Sequence, residues 1–541
     1  MRVTFHRYLA VTAVSLALTG GAFAQSGTPE PQVPAQSGEA VSTPPATLDA
    51  VPPADPNALA PGLTGTDAAV AAKLRDLVIA GLGRPIERKS DRAGVEAFYR
   101  ARGFAPLWSA DGATSPRAKA AAAFLGRVDA DALDPADYPV PRFAGPEADK
   151  LAQDELAMTN SVLSFARHAR TGRVSYSRVS GAIFYELPTP QAADVLANMA
   201  NADDLRDALN SYHPPHTAYQ ALKAKLAETR AGKKNAALAD TLIANMERWR
   251  WVPRELGKAH VVVNIPDYTL KVVDQGKTAW TTRIVVGKVG TQATPLLSET
   301  MKFITVNPTW NVPPSIIRNE YLPALARDPG ALERIGLKIT HKADGTVRIY
   351  QPPGEKNALG RIRFNFPNRF LVYQHDTPQK HLFAQTQRAY SHGCMRVQNP
   401  EQYAEVLLSI TQPDERYTAE RVQKMYGSAE RNINLKTHIP VHLTYQTAFV
   451  DDAGQFQTRP DIYGHDRTIT DLLRNGRGAD IPIARNTHSS SKPVTARLPA
   501  RQDDQDRRLN GYFNQSSERV ARRFELGGST FYPRRSYGAP N

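Results

Sequence analysis

The apolar residues of this chain change period near residue 256, and that change sets what each half can fold into. Between residues 69 and 255 they recur at helical spacing, as in Val70, Leu74, Leu77, Val78 and Leu82. Helices are expected over 118–128, 155–170, 217–229 and 236–251, the second ending at Gly172, a residue suited to a helix C-terminus. From His260 the pattern is β-rich. Residues 260–265 and 268–273 flank Pro266-Asp267 as a hairpin would, and 281–286, 301–306, 361–366, 369–374 and 440–445 read as further strands. A helix is expected over 315–327, inside an insertion spanning about 310–360. The fold class is therefore α+β, a helical region (69–255) followed by a β-rich region (256–478) that carries the insertion.

The ends of the chain read differently. Arg2, His6 and Arg7 precede an apolar run from Leu9 to Leu18, and Ala22-Phe23-Ala24 has the small-x-small form of a signal-peptidase site. Residues 1–24 are read as a cleaved export signal, with an uncleaved anchor as the alternative. Residues 25–68 are rich in Pro, Ala, Ser and Thr and read as a spacer. No later stretch is apolar enough to span a membrane. Residues 479–541 lose all apolar period, mix arginines with aromatics and read as a basic tail. The formal net charge of +14 suits a polyanionic setting. Export then favours an acidic wall polymer over nucleic acid.

Cys394 is the one cysteine in 541 residues. Without a partner it cannot form an intramolecular disulfide, so its thiol is either inert in a core or kept for chemistry. It stands in Ser391-His392-Gly393-Cys394-Met395-Arg396, with His375 19 positions upstream at an expected strand end. Imidazole is the side chain suited to deprotonating a thiol near neutral pH and to protonating a leaving amine. Gly393 allows a tight turn, and the N–H groups about Cys394 are natural oxyanion donors. Tyr373, two residues before His375, would share its face of the strand and add a hydroxyl. Arg396 could hold a carboxylate bidentately, or be a surface ion pair. His392 is a rival base, which we place as support for the loop beside Ser391. Asp376 is next to His375, but adjacent strand side chains point apart, so a backbone carbonyl is the expected anchor of the imidazole. His381 has no evident partner. His213 and His216 flank Pro214-Pro215 with no third ligand evident, so no metal site is expected. The aromatics of 98–108 could form a sugar or peptide platform, but core packing is the reading we take.

These residues resemble the signature of the YkuD-type L,D-transpeptidases, in which a histidine is followed after a loop by Ser/Thr-His-Gly-Cys and then Arg or Asn. The resemblance extends to Asn307-Pro308-Thr309-Trp310-Asn311, to Phe104-Ala105-Pro106-Leu107-Trp108, to Met246-Glu247-Arg248-Trp249-Arg250-Trp251 and to Asp461-Ile462-Tyr463-Gly464, all similar to the large Gram-negative branch. It implies a helical scaffold domain before a YkuD-type catalytic domain with a cap. Cys394 would be the nucleophile, His375 the base, and Tyr373 with the loop backbone the oxyanion site. The donor implied is a peptidoglycan tetrapeptide stem in the periplasm. D-alanine leaves its diaminopimelate carbonyl, and a second stem accepts the acyl group in a 3→3 cross-link. Carbapenems would acylate the same thiol, and no cofactor is needed. An outer-membrane protein amine or water could replace the acceptor stem. A non-catalytic wall-binding scaffold is the reading from another class. The chain departs from the branch in one respect. Only residues 230–235 separate two expected helices where a peptidoglycan-binding module commonly stands, and the basic tail or the helical region could supply wall affinity instead.

Overall fold

The computed structural model describes residues 55–83, 85–232, 235–341 and 347–476. The expected export signal, most of the spacer and the basic tail lie outside these residues.

The helical region is built from α1 (Gly65–Ile79), α2 (Lys89–Ala101), α3 (Pro116–Leu125), α4 (Ala148–Thr171) and α5 (Ala192–Asn201), followed by α6 (Thr217–Ala231) and α7 (Ala236–Trp249). Apolar faces of the first five enclose one core that includes Leu74, Tyr99, Phe104, Trp108, Leu156 and Phe165. The aromatics of 98–108 are thus packing residues. Glu155 of α4 is fully buried, and the backbone N–H groups of Leu107, Trp108 and Ser109 and the Tyr99 hydroxyl all donate to it. That convergence pins the 104–109 turn to the longest helix, because a buried carboxylate needs such donors to be tolerated.

The spacer ends earlier than composition indicates. Residues 55–64 already dock on this core, with Leu59 and Leu63 packed against it and the Ala60 N–H bonded to the Gly103 carbonyl at 2.8 Å. The approach is so close that a Cβ on Gly103, which has φ +56°, would lie 2.4 Å from the Ala60 nitrogen.

The β-rich region is a ten-stranded sheet. Its strands are β1 (Ile183–Phe184), β2 (Ala259–Asn264), β3 (Thr269–Asp274), β4 (Lys277–Gly287), β5 (Leu296–Val306), β6 (Ile362–Asn365), β7 (Gln374–His375), β8 (Ala389–Ser391), β9 (Met395–Val397) and β10 (Arg431–Thr444). The order β6-β7-β9-β4-β3-β2-β10-β5 closes on itself, because β5 also pairs with β6. Closure leaves those eight strands without free edges. β1 adds to β5 from the helical half, and β8 adds to β4. The core holds Val261, Val263, Leu270, Ile284, Ile304, Phe364, Met395 and Leu443, with α8 (Pro400–Thr411) and α9 (His465–Asn475) also contributing.

The two halves meet over a buried polar seam built from the end of α7. Glu247 pairs with Arg250 at 2.8 Å and accepts the Val174 N–H at 2.6 Å, while Arg248 pairs with Asp466 at 2.6 Å. Asn245 accepts the Thr447 N–H at 2.9 Å. These groups explain why polar residues interrupt the apolar period at 245–250.

Two expectations about strands need correction. Residues 369–373 form a turn, with Leu371 at φ +57°, and only Gln374–His375 pair as strand. The insertion is not purely helical either. Besides Pro314–Ile316, a π-turn over Ile317–Tyr321 and Leu322–Arg327, it has a three-stranded sheet of Trp310–Asn311, Val347–Gln351 and Lys338–His341. Val312, Ile316, Leu332, Leu337 and Ile349 give it a small core of its own.

Candidate active site

The Cys394 loop is fixed by its backbone. β8 runs parallel to β4 and β9 runs antiparallel to it, so the chain must reverse between Ser391 and Met395. Gly393 makes the reversal at φ +115°, a conformation that side-chain-bearing residues avoid. The Ser391 hydroxyl donates to the Cys394 carbonyl at 2.5 Å and accepts the Gly393 N–H at 3.1 Å. On the other side the Thr294 hydroxyl donates to the Gly393 carbonyl at 2.9 Å and accepts the Gly287 N–H at 2.8 Å. Tyr463 locks that support. Its hydroxyl donates to the Gly287 carbonyl at 2.7 Å and accepts the Thr294 N–H at 3.2 Å.

His375 lies on β7 between β6 and β9 and is 5% exposed. Its Nδ1 is 2.5 Å from the carbonyl oxygen of Asp376, so Nδ1 carries a proton, and the backbone of Leu359 also meets the ring. A backbone carbonyl anchors the ring, as expected. The Asp376 carboxylate faces elsewhere, accepting the N–H groups of Arg361 at 2.8 Å and Thr377 at 2.6 Å and pairing with Lys380. Burial, reinforced by the Arg396 and Arg363 cations, drives the imidazole down to about 3. Burial pushes the Cys394 thiol up to about 11, against hydrogen bonds from the Tyr373 N–H and hydroxyl and the charges of Arg363 and Arg396. At neutral pH both groups therefore rest uncharged, and proton transfer has to accompany attack on a substrate.

The structure gathers most of the residues singled out in the sequence. Tyr373 is outside the strand, yet its ring stands edge-on to His375 at 5.7 Å and its hydroxyl bonds to Cys394. Arg396 reaches Gln379 Oε1 at 2.5 Å. His392 departs from expectation. It points away from the loop it was expected to brace, and its Nε2 meets Glu320 Oε1 of the insertion at 2.6 Å. It is a tie between loop and cap rather than a base. His381 is exposed on a short 3-10 turn. His213 is buried against Phe124, Phe165 and Tyr219, and His216 bonds the Pro253 carbonyl. Among the described residues no cluster of three or more His, Cys, Asp or Glu side chains could hold a metal. Sequence reasoning did not single out Thr294, Glu320 or Arg363, nor the part Tyr463 plays. Arg363 was legible only as one member of an alternating strand, and the others act across long sequence separations.

A buried neutral histidine anchored by a backbone carbonyl, a thiol that takes a tyrosine hydroxyl and a backbone N–H, and a glycine turn held from both sides can together support acyl transfer through a thioester. Residues 258–424 match the family model of the L,D-transpeptidase catalytic domain, YkuD, and residues 93–226 match that of a scaffold domain. A candidate L,D-transpeptidase of Haemophilus influenzae is 30% identical over 253 residues, 44% of this chain and 50% of that protein. The chain thus spans about half the length of this curated relative. Among solved structures, an L,D-transpeptidase from Mycobacterium smegmatis is 15% identical, with a TM-score of 0.19 over 35% of this chain and 58% of its own. LdtMt1 in complex with imipenem is 15% identical, with a TM-score of 0.18 over 35% and 59%.

Proposed function

We propose, for a chain that carries a YkuD L,D-transpeptidase catalytic domain behind a scaffold domain, that it is a cysteine-dependent L,D-transpeptidase of peptidoglycan. The observation that carries the reading is the Cys394, His375 and Tyr373 constellation inside the matched catalytic segment.

The donor is a tetrapeptide stem. Cys394 Sγ attacks the carbonyl of its third residue, a diaminopimelate, while His375 Nε2 takes the thiol proton. The tetrahedral oxyanion is met by the Cys394 N–H and the Tyr373 hydroxyl. Collapse breaks the C–N bond to D-alanine, and the same proton passes from His375 to the leaving amine. The thioester then acylates the side-chain amine of a second stem, with His375 taking the amine proton and returning it to the thiolate. The product is a 3→3 cross-link. A carbapenem such as imipenem, which is bound in one of the distant structures, would acylate the same thiol. Export through the N-terminal signal would place the enzyme in the periplasm, where its +14 charge suits the wall.

Incubating the purified chain with disaccharide tetrapeptides and separating the products tests the reading. Dimers joined between two third residues support it. Tripeptides or protein conjugates alone would leave the acyl-enzyme and replace the acceptor. No product of any kind from a folded protein would favour the non-catalytic scaffold.

A further inference from the structure

Three neighbouring strands place Arg363, His375 and Arg396 in one row. Arg363 of β6 is the register partner of His375 on β7, and His375 is the partner of Arg396 on β9. Register partners point to the same face, and adjacent strands are about 4.8 Å apart. The proposed base therefore stands between two guanidinium-bearing residues.

Neither cation has a carboxylate partner among the described residues. Arg396 is bonded to the neutral side chain of Gln379. Arg363 has its guanidinium 5.5 Å from the Tyr373 ring, and its Nε is buried with no acceptor. Asp376, next to His375 in the chain, has its carboxylate turned to Arg361, Thr377 and Lys380. Burying a cation without an anion is costly, and a planar guanidinium is the side chain shaped to take a carboxylate by two parallel bonds.

We propose that Arg363 binds the terminal α-carboxylate of the donor's leaving residue and so selects stems that end there. This rests on the acyl-transfer reading above. In a terminal amino acid the carboxylate carbon is two bonds, about 2.5 Å, from the amine nitrogen. His375 has to protonate that nitrogen, so the carboxylate arrives beside His375, where Arg363 stands. Arg396 already has Gln379 as acceptor, whereas Arg363 has an unused donor. A stem longer by one residue offers an amide at this point and leaves the cation unpaired, which is the kind of mismatch a polar site rejects strongly.

The test compares two donors, a disaccharide tetrapeptide with a free terminal carboxylate and the same stem ending in a carboxamide. The readout is the rate of acyl-adduct formation on the protein by intact mass. The wild type is expected to favour the acid by roughly 100-fold or more, and Arg363→Gln to shrink that acid-to-amide ratio at least about tenfold; the ratio is the readout because loss of the Arg363 charge beside His375 and Cys394 alters acylation by both donors alike. Arg363→Lys, which keeps the charge, falls between. If Arg363→Gln does not fold, Arg363→Lys decides alone, since any shrinkage supports the assignment and an unchanged preference overturns it. A wild type acylated equally by both donors, or a folded Arg363→Gln with the preference intact, overturns the proposal alone. A wild type acylated by neither donor overturns the acyl-transfer reading and this proposal with it.

Discussion

The imidazole of His375 is anchored by the carbonyl of Asp376, 2.5 Å from Nδ1, and not by the Asp376 carboxylate. The orientation of the base therefore survives loss of that side chain's charge. Asp376→Asn is expected to slow Cys394 acylation by less than about tenfold, mainly through weaker bracing of Arg361 and Thr377. His375→Gln should lose on the order of a hundredfold to ten-thousandfold. Single-turnover kinetics on both variants check this, and equal damage from the two would contradict a carbonyl anchor.

Burial sets the pH behaviour of the thiol. With Cys394 raised to about 11, the thiolate fraction at pH 7 is about one in ten thousand. With His375 lowered to about 3, the base is already neutral across the physiological range. Alkylation by iodoacetamide, which reads thiolate, should climb steadily from pH 6 to beyond 9. Acylation by substrate should show no step near the ordinary imidazole value of about 6.5. A thiolate plateau below pH 7 would mean a preformed ion pair and contradict the neutral resting state.

The Thr294 hydroxyl fixes a reacting group it does not touch. A trans peptide sends its carbonyl and N–H in opposite directions, so holding the Gly393 carbonyl aims the Cys394 N–H. Thr294→Val should lower the acylation rate by about ten- to a hundredfold with the fold retained, because removing or misaiming one oxyanion donor costs that much or more. Thr294→Ser should restore most of it. Tyr463→Phe, which removes two bonds from the support, should lie between. Unchanged acylation in Thr294→Val would show that the loop holds its shape without this brace.

Much of the site was legible before any coordinates. Cys394 stands out as the one cysteine of the sequence, and it is the match of His375 and Ser391–Arg396 to the family signature, more than the short His-Gly-Cys triplet, that singles out the pair. Tyr373 stands just ahead of the paired residues of β7, its carbonyl still accepts the Met395 N–H, and its ring lies beside His375 as the i, i+2 spacing indicates. The rest depends on partners that sequence spacing hides. Arg363 meets His375 through strand register, Thr294 meets Gly393 across 99 positions, and His392 meets Glu320 across 72. The early end of the spacer was hidden because only Leu59 and Leu63 mark it. β10 was read only over its last residues, because Lys436, Thr437 and His438 break the alternation set by Ile433 and Leu435. The insertion's strands were missed because each is five residues or fewer.

The helical half has one test of its own. Five donors converge on the Glu155 carboxylate, the Ser109 hydroxyl among them, and Gln at that position replaces an acceptor by a donor facing N–H groups. Burial lifts the Glu155 carboxyl to about 7, so above that pH Glu155→Gln should cost about 2–4 kcal/mol in denaturant unfolding, in line with a buried hydrogen bond to a charged group replaced by a clash of donors. A loss under about 0.5 kcal/mol would show that the carboxylate is not what ties the 104–109 turn to α4.

Whether Cys394 becomes an acyl-enzyme is read by intact mass spectrometry of the purified protein after incubation with a disaccharide tetrapeptide. One adduct of the tripeptide stem per chain is expected, mapped to Cys394 and accompanied by released D-alanine, and none on Cys394→Ala. D-alanine release without dependence on Cys394, or a folded wild-type protein with a reactive thiol that yields neither adduct nor D-alanine, would contradict the acyl-enzyme.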